Sequence, residues 1–171
     1  MQVTAIHEYK EDLDTLLRYF SEEELILEKY QQLGTRNTRI LKLEETDDGF
    51  IVETQRDVPA NVPGMLKRFL GDFNTVRQKE SWHWQENEQL LCNMEVELIG
   101  VPASINGKML FSEPGNTPGI AARNEVTVTV TSSVPLVGST LVSFICDDIK
   151  QQMQSEYQYL CDKLPQLETE D

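Results

Sequence analysis

The amino-acid sequence predicts an α+β domain in which a curved, seven-stranded antiparallel sheet wraps around one long C-terminal helix. Three observations carry this prediction. The segments follow the order βααββββββα, six consecutive segments read as strands, and the C-terminal segment carries one apolar stripe at helical spacing. Consecutive strands joined by short turns pair antiparallel. Their apolar face needs a cover, which the final helix is long enough to provide.

The N-terminal part of the sequence predicts one strand followed by two helices. Residues 1–9 alternate loosely and are typical of a strand. Asp12 opens the first helical pattern. Ser21 and Glu24 have the spacing of a capping box, which predicts the start of the second helix at this point. Gly34 is expected to end that helix in the left-handed conformation.

The middle of the sequence predicts six strands joined by turns. Asp48 and Gly49 favour a type I′ turn between the first two strands. Residues 58–64 contain two prolines, which excludes a central strand there. Asn106 and Gly107 leave a tight hairpin open as an alternative to one continuous strand. The predicted strands cover residues 36–46, 50–57, 73–85, 90–99, 104–111 and 125–131.

The last element is predicted to be a helix of roughly 25 residues with one apolar face. Pro165 is expected to end it, because proline cannot continue the hydrogen bonding of a helix. We therefore expect a single domain of residues 1–165, followed by an acidic tail of residues 166–171. The apolar stripe consists of Val142, Ile145, Ile149, Met153, Leu160 and Leu164.

The composition excludes several classes of partner. The chain of 171 residues carries a net charge of −14, which repels the phosphates of nucleic acids and of anionic lipids. The N-terminus has no signal-peptide pattern, and no apolar run is long enough to span a membrane. The three cysteines show no metal-ligand spacing. These features predict a cytoplasmic protein with reduced thiols, no membrane insertion, no nucleic-acid partner and no cofactor.

Four segments carry a specific resemblance. They are FSEEELILEKYQQLG at residues 20–34, VPGMLKRFLG at residues 62–71, KESW at residues 79–82 and VPLVG at residues 134–138. In this order they resemble a bacterial branch of the START/Bet v 1-like (SRPBCC, polyketide cyclase and lipid transport) superfamily. That branch is classed as a domain of unknown function. The resemblance covers nearly the whole chain and implies a helix-grip fold with a hydrophobic cavity between sheet and helix.

Aromatic and flexible apolar side chains are the residues expected to line such a cavity. Tryptophan combines a large apolar face with one N–H donor, and methionine adapts to irregular shapes. The same residue types also pack protein cores, so a filled core is the alternative for each of them. The expected lining consists of Trp82, Trp84, Met94, Val96, Phe111, Val128, Phe144, Ile145, Ile149 and Met153, with His7 and Tyr9 as polar groups.

No sequence pattern points to catalysis or to a metal site. P-loop, nucleophile-elbow and metal-binding histidine patterns are missing from the sequence. His83 lies between Trp82 and Trp84 and is expected to face solvent. The sequence thus favours binding or carriage of a hydrophobic small molecule, such as a lipid, an isoprenoid or an aromatic metabolite. Two alternatives stay open: an acidic module that binds a protein partner, and a cyclase- or hydrolase-like enzyme that uses His7, Tyr9, Arg77 or Glu80.

Overall fold

The computed structural model describes residues 1–170 and contains the predicted order of elements. Strand β1 precedes two helices, six further strands follow, and a long helix ends the described chain. A 3₁₀ turn at Gly64–Leu66 lies between the third and fourth strands. The elements are β1 (Gln2–Tyr9), α1 (Leu13–Ser21), α2 (Glu23–Gln32), β2 (Arg36–Thr46), β3 (Gly49–Pro59), β4 (Phe73–Trp84), β5 (Leu90–Leu98), β6 (Ser104–Ser112), β7 (Ala122–Thr131) and α3 (Gly138–Glu170).

The seven strands form one antiparallel sheet, which confirms the predicted fold class. Its order is β1-β7-β6-β5-β4-β3-β2, so the first strand of the chain lies beside the last. Strands β5 and β6 pair from Leu90–Phe111 to Val96–Ile105 without interruption. Asn106 and Gly107 therefore lie inside β6, and the hairpin considered there is wrong. The alternation of the flanking residues outweighs the turn preference of this dipeptide.

Helix α3 is longer than predicted and passes through Pro165. The expectation that Pro165 ends the helix was wrong. Proline removes one hydrogen bond and crowds one carbonyl, but it does not prevent helical turns beyond it. Leu164 and Leu167 on either side are both buried in the core, which stabilises the continued helix.

Asp171, the last residue of the predicted tail, lies outside the described residues. Within residues 1–170, no helix has the length and the apolar composition needed to cross a membrane.

The junction between α1 and α2 also differs from the prediction. Ser21 is the last residue of α1, and its hydroxyl donates a hydrogen bond to the carbonyl oxygen of Leu17 at 2.9 Å. The N-cap of α2 is Glu22, whose side chain makes no capping bond. A capping box of Ser21 and Glu24 is therefore wrong, because the two helices follow each other too closely. Gly34 has a φ of +86° and ends the second helix as expected.

The turn between β2 and β3 shows a different use of glycine from the one predicted. Thr46 pairs with Gly49, so the two loop residues are Asp47 and Asp48, and neither has a positive φ. The predicted type I′ turn at Asp48 and Gly49 is wrong. A Cβ atom on Gly49 would lie 1.8 Å from the carbonyl oxygen of Trp82. Glycine is required here because two backbones approach closely.

An aromatic cluster fills one end of the space between the sheet and the helices. Its centre is the fully buried Trp82 of β4. The Trp82 ring stacks on Phe50 with the centroids 5.0 Å apart, and it lies 5.6 Å from Phe20 of α1 and 5.3 Å from Phe111 of β6. The helix pair thus closes this end of the sheet, while the space toward the other end stays open.

Candidate functional site

A cavity of about 170 Å³ lies between the inner face of the sheet and helix α3. Most of its lining is apolar. Glycine at position 107 lets the side chains of Met94 and Val128 pack over the β6 backbone, because a Cβ atom there would lie only 2.7 Å from Cε of Met94 and 3.3 Å from Cγ2 of Val128. An apolar cavity of roughly 150 Å³ in a protein binds benzene. The space therefore suits a molecule about the size of a single ring.

The structure brings together most of the residues expected to line the cavity. Side chains of β1, β5, β7 and α3 converge on it, which places residues far apart in sequence around one space. The expected residues found in the lining are His7, Tyr9, Met94, Val96, Val128, Phe144, Ile145, Ile149 and Met153.

Three of the expected lining residues lie elsewhere, and the structure corrects their placement. Trp82 and Phe111 are buried in the aromatic cluster under α1. Trp84 is the last residue of β4, and 44% of it is exposed. Alternation along a strand assigns a residue to one face of the sheet, but it does not say what covers that face at each position.

A chain of hydrogen bonds between polar side chains of β3 and β4 forms part of the cavity wall. Nη2 of Arg56 donates to Oε1 of Gln78 at 3.0 Å, and Nε2 of Gln78 donates to Oε2 of Glu80 at 2.8 Å. Nε1 of Trp82 donates to the other oxygen of Glu80 at 3.1 Å. The Arg56 guanidinium also lies 4.2 Å from the ring centroid of Tyr30. The sequence points to Trp82 and Glu80 as candidate groups. It does not single out Arg56 and Gln78, although both occupy inward positions of their strands.

Lys29 of α2 adds a second buried charge beside the cavity. It is 2% exposed, and its Nζ lies 3.0 Å from Oε1 of Glu156 on α3. The same Nζ lies 4.1 Å from the ring centroid of Phe20. Burial by itself lowers the pKa of Lys29, but the interactions with Glu156, Tyr30 and Glu80 together outweigh this effect, so that the pKa is raised. The ion pair therefore connects α2 to the cavity-lining face of α3.

The buried carboxyl of Glu80 predicts a pH-dependent stability. Burial raises the pKa of Glu80, and the positive charge of Lys29 counteracts this only in part. The folded state thus binds the proton more tightly than the unfolded state. The contribution of Glu80 to stability is fully present below the unfolded pKa near 4.5 and is lost as the pH rises through the folded pKa.

We expect the free energy of unfolding of Glu80→Gln to rise relative to that of the wild type as the pH increases above 4.5. The relative rise is up to about 1.4 kcal/mol per pH unit until the pH reaches the folded pKa of Glu80. Urea unfolding of both proteins from pH 4 to pH 8 measures the difference. Glu95 is exposed on the neighbouring strand β5, so Glu95→Gln is the matched control and should show no such trend. A difference between wild type and Glu80→Gln that stays constant with pH would contradict the prediction.

A second polar group lies where β1 meets β7. His7 is the register partner of Asn124, and both line the cavity. The His7 ring stacks on Tyr157 of α3 with the centroids 4.4 Å apart. Burial lowers the pKa of His7 although the carboxylate of Glu156 acts against it, so the imidazole is neutral at pH 7. The side chain of Asn124 is buried in the same wall.

The remaining candidate groups divide between the cavity and the surface. Tyr9 and Glu80 line the cavity together with His7, whereas Arg77 is exposed and donates to Oε1 of Gln55. The His83 side chain is 41% exposed and reaches solvent, as expected, and its Nδ1 lies 3.0 Å from Oδ2 of Asp48. Among the described residues, no group of three His, Cys, Asp or Glu side chains could hold a metal ion. The three cysteines are free thiols.

Solved structures of low sequence identity share this fold. The crystal structure of Ara h 8.0201, a Bet v 1 homologue, has a TM-score of 0.61 at 10% identity and covers 97% of this chain and 98% of that chain. A protein of unknown function from Staphylococcus aureus has a TM-score of 0.54 at 8% identity, with 98% and 92% covered. A conserved protein from Geobacillus kaustophilus has a TM-score of 0.54 at 8% identity, with 95% and 97% covered. These similarities show a shared Bet v 1-like fold.

Sequence comparison gives a family as well. No curated protein matches the chain. The model of the DUF2505 family, described as a protein of unknown function, matches residues 4–164. This range extends from β1 into the last turns of α3, so the match includes every strand of the sheet and nearly all of the cavity. The resemblance expected from the sequence is confirmed: the chain belongs to the DUF2505 family and has a Bet v 1-like helix-grip fold.

Proposed function

We propose that this protein binds or carries a compact hydrophobic small molecule in the cavity between the sheet and α3. The observation that carries the proposal is an apolar space of about 170 Å³ that the side chains leave unfilled. Protein interiors are normally packed with few voids larger than a water molecule, so a space of this size is unusual in a core. Burial of apolar ligand surface there is favourable, at about 25 cal/mol per Å².

The size of the cavity distinguishes between the ligand classes expected from the sequence. Pockets for drug-sized ligands usually measure about 300–1,000 Å³. The cavity of about 170 Å³ is smaller, so an aromatic metabolite of one ring fits better than a long lipid or an isoprenoid. A longer ligand would require α3 to move away from the sheet.

The three free cysteines support the cytoplasmic location expected for such a protein.

Catalysis is the second candidate function, and one observation favours it. His7 and Glu80 both line the cavity, and burial shifts the pKa of both, downward for His7 and upward for Glu80. Such shifts are typical of groups that exchange protons with a substrate. Incubation of the protein with a bound molecule, followed by mass spectrometry, separates the two functions. A carrier returns the molecule unchanged, whereas a cyclase or hydrolase converts it.

An acidic protein-interaction module is a further proposal, supported by the net charge of −14. A surface of this charge favours basic partners. Recovery of a stoichiometric basic protein in a pull-down would support this function, and failure to recover one at low ionic strength would count against it.

Filling the cavity is expected to weaken ligand binding. Val128 of β7 lines the cavity and pairs in the sheet with Gly107 of β6. The ring introduced by Val128→Phe would therefore occupy the empty space. We expect ethylbenzene to bind at least ~10-fold more weakly, a difference of about 1.4 kcal/mol. The loss of stability should stay below the ~1–3 kcal/mol usual for overpacking, because the ring enters a void. Two-dimensional amide NMR titration and thermal unfolding measure the two effects.

The neighbouring residue provides the matched control. Thr127 is exposed on the outer face of β7, so Thr127→Phe adds the same ring without filling the cavity. This variant should bind ethylbenzene as the wild type does. Equal binding by Val128→Phe would show that the probe binds elsewhere. Absence of saturable binding by the wild type, together with no co-purified molecule in native mass spectrometry, would refute the proposed function.

A further inference from the structure

Asn124 presents an unused hydrogen-bond acceptor at the cavity. The residue lies on the inner face of β7, is 3% exposed and belongs to the cavity lining. Its Nδ2 contacts Sδ of Met109 at 3.6 Å, whereas its Oδ1 is buried without any hydrogen-bond partner. Buried polar atoms in native proteins nearly always have a partner. An unpaired oxygen beside an empty space therefore points to a donor that a ligand supplies.

The surroundings of this oxygen favour a donor without charge. His7, the register partner of Asn124, is neutral at pH 7 because burial lowers its pKa. Val126, two residues along β7, and Met109, its partner on β6, are apolar and buried. No carboxylate is in hydrogen-bond contact with the Asn124 side chain within the described residues, and the carboxyl groups elsewhere in the lining already have partners of their own. A cationic group would therefore lose its hydration beside Asn124 without gaining a free counter-charge.

The charges elsewhere in the lining disfavour an anionic ligand. Glu80, Asp148 and Glu156 contribute carboxyl groups to the lining, against the guanidinium of Arg56. That guanidinium already donates to Gln78. A ligand carboxylate would therefore meet three carboxyl groups against one guanidinium, and it has no hydrogen to donate to Oδ1 of Asn124. The donor that fits is a neutral hydroxyl or N–H group.

We infer that the ligand is a compact neutral molecule whose hydroxyl or N–H group donates a hydrogen bond to Oδ1 of Asn124. Its apolar body lies against the apolar lining, which includes Val126, two residues along β7 from Asn124, and Met109, the partner of Val126 on β6. Phenols, aryl alcohols and indole-type rings have this chemistry. The inference rests on the proposed function and narrows it from hydrophobic molecules in general to those with one neutral donor.

A pair of probes that differ by one hydroxyl group tests the inference. 4-Ethylphenol and ethylbenzene are titrated into the full-length wild type and into Asn124→Leu, and dissociation constants are obtained by amide NMR. We expect the preference for 4-ethylphenol over ethylbenzene to fall about 10-fold in Asn124→Leu, while ethylbenzene binding stays the same or improves. Thr127→Leu is the matched control, because it makes an apolar substitution on the outer face of the same strand, away from the cavity. It should keep the wild-type preference.

The outcomes separate this inference from the proposed function. If Asn124→Leu keeps the wild-type preference and still binds ethylbenzene, the donor does not meet Asn124, and the cavity remains a hydrophobic site. If the wild type binds neither probe, the proposed function fails and this inference fails with it. Thermal unfolding checks that Asn124→Leu folds, and Asn124→Val provides the same comparison if leucine does not fit.

Discussion

Replacement of Lys29 by methionine is expected to lower the free energy of unfolding by about 3–5 kcal/mol. Methionine keeps the contacts of the side-chain stem with Phe20 and Tyr30 but leaves Glu156 without its cation. An unpaired, partly buried carboxylate is costly because water cannot fully solvate it. Since 29% of the Glu156 side chain is exposed, the lower end of this range is expected.

Two controls isolate the buried charge. The double variant Lys29→Met with Glu156→Gln removes both charges and should recover most of the lost stability. Lys42 and Glu44 form an exposed ion pair at 3.4 Å, so Lys42→Met should change stability by less than about 1 kcal/mol. Urea unfolding at pH 7 compares the four proteins. Equal losses for Lys29→Met and Lys42→Met would show that the Lys29–Glu156 pair does not tie α2 to α3.

Truncation of the two neighbouring tryptophans is expected to give very different results. Trp82→Ala should cost about 3–5 kcal/mol, because it removes the centre of the aromatic cluster and opens a large void beside Phe20 and Phe50. Trp84→Ala should cost about 1 kcal/mol or less, because Trp84 is 44% exposed at the end of β4. Denaturant unfolding of both variants measures this contrast.

A milder substitution tests where Trp82 lies relative to the ligand. Trp82→Phe keeps a ring in the cluster but removes the donor to Glu80 and part of the ring volume, at a cost of about 1–3 kcal/mol. Because Trp82 packs outside the cavity lining, ethylbenzene should bind to this variant as it does to the wild type. Loss of binding in a well-folded Trp82→Phe protein would instead place Trp82 in the ligand site, as the sequence alone suggested.

The buried polar network shows where sequence reasoning stops. Arg56 of β3 and Gln78 of β4 lie on the inner face of the sheet, the same face as Val58 and Val76 two residues away. This place in the strand alternation is the sign in the sequence that they face inward. A polar residue within an alternating strand can also mark a register change or the exposed end of a strand. Only the packed structure shows that Arg56, Gln78 and Glu80 satisfy one another by hydrogen bonds.

Local patterns by themselves determined the order of the elements, the antiparallel sheet and the face on which most inward residues lie. These features depend on periodicities of two or 3.6 residues, which a single sequence displays directly. The tertiary structure alone decided that α3 continues past Pro165, that aromatic side chains fill one end of the sheet, and that Lys29 meets Glu156 across 127 positions of sequence. The physical reason is that burial and pairing depend on neighbours brought together by folding, which no local period encodes.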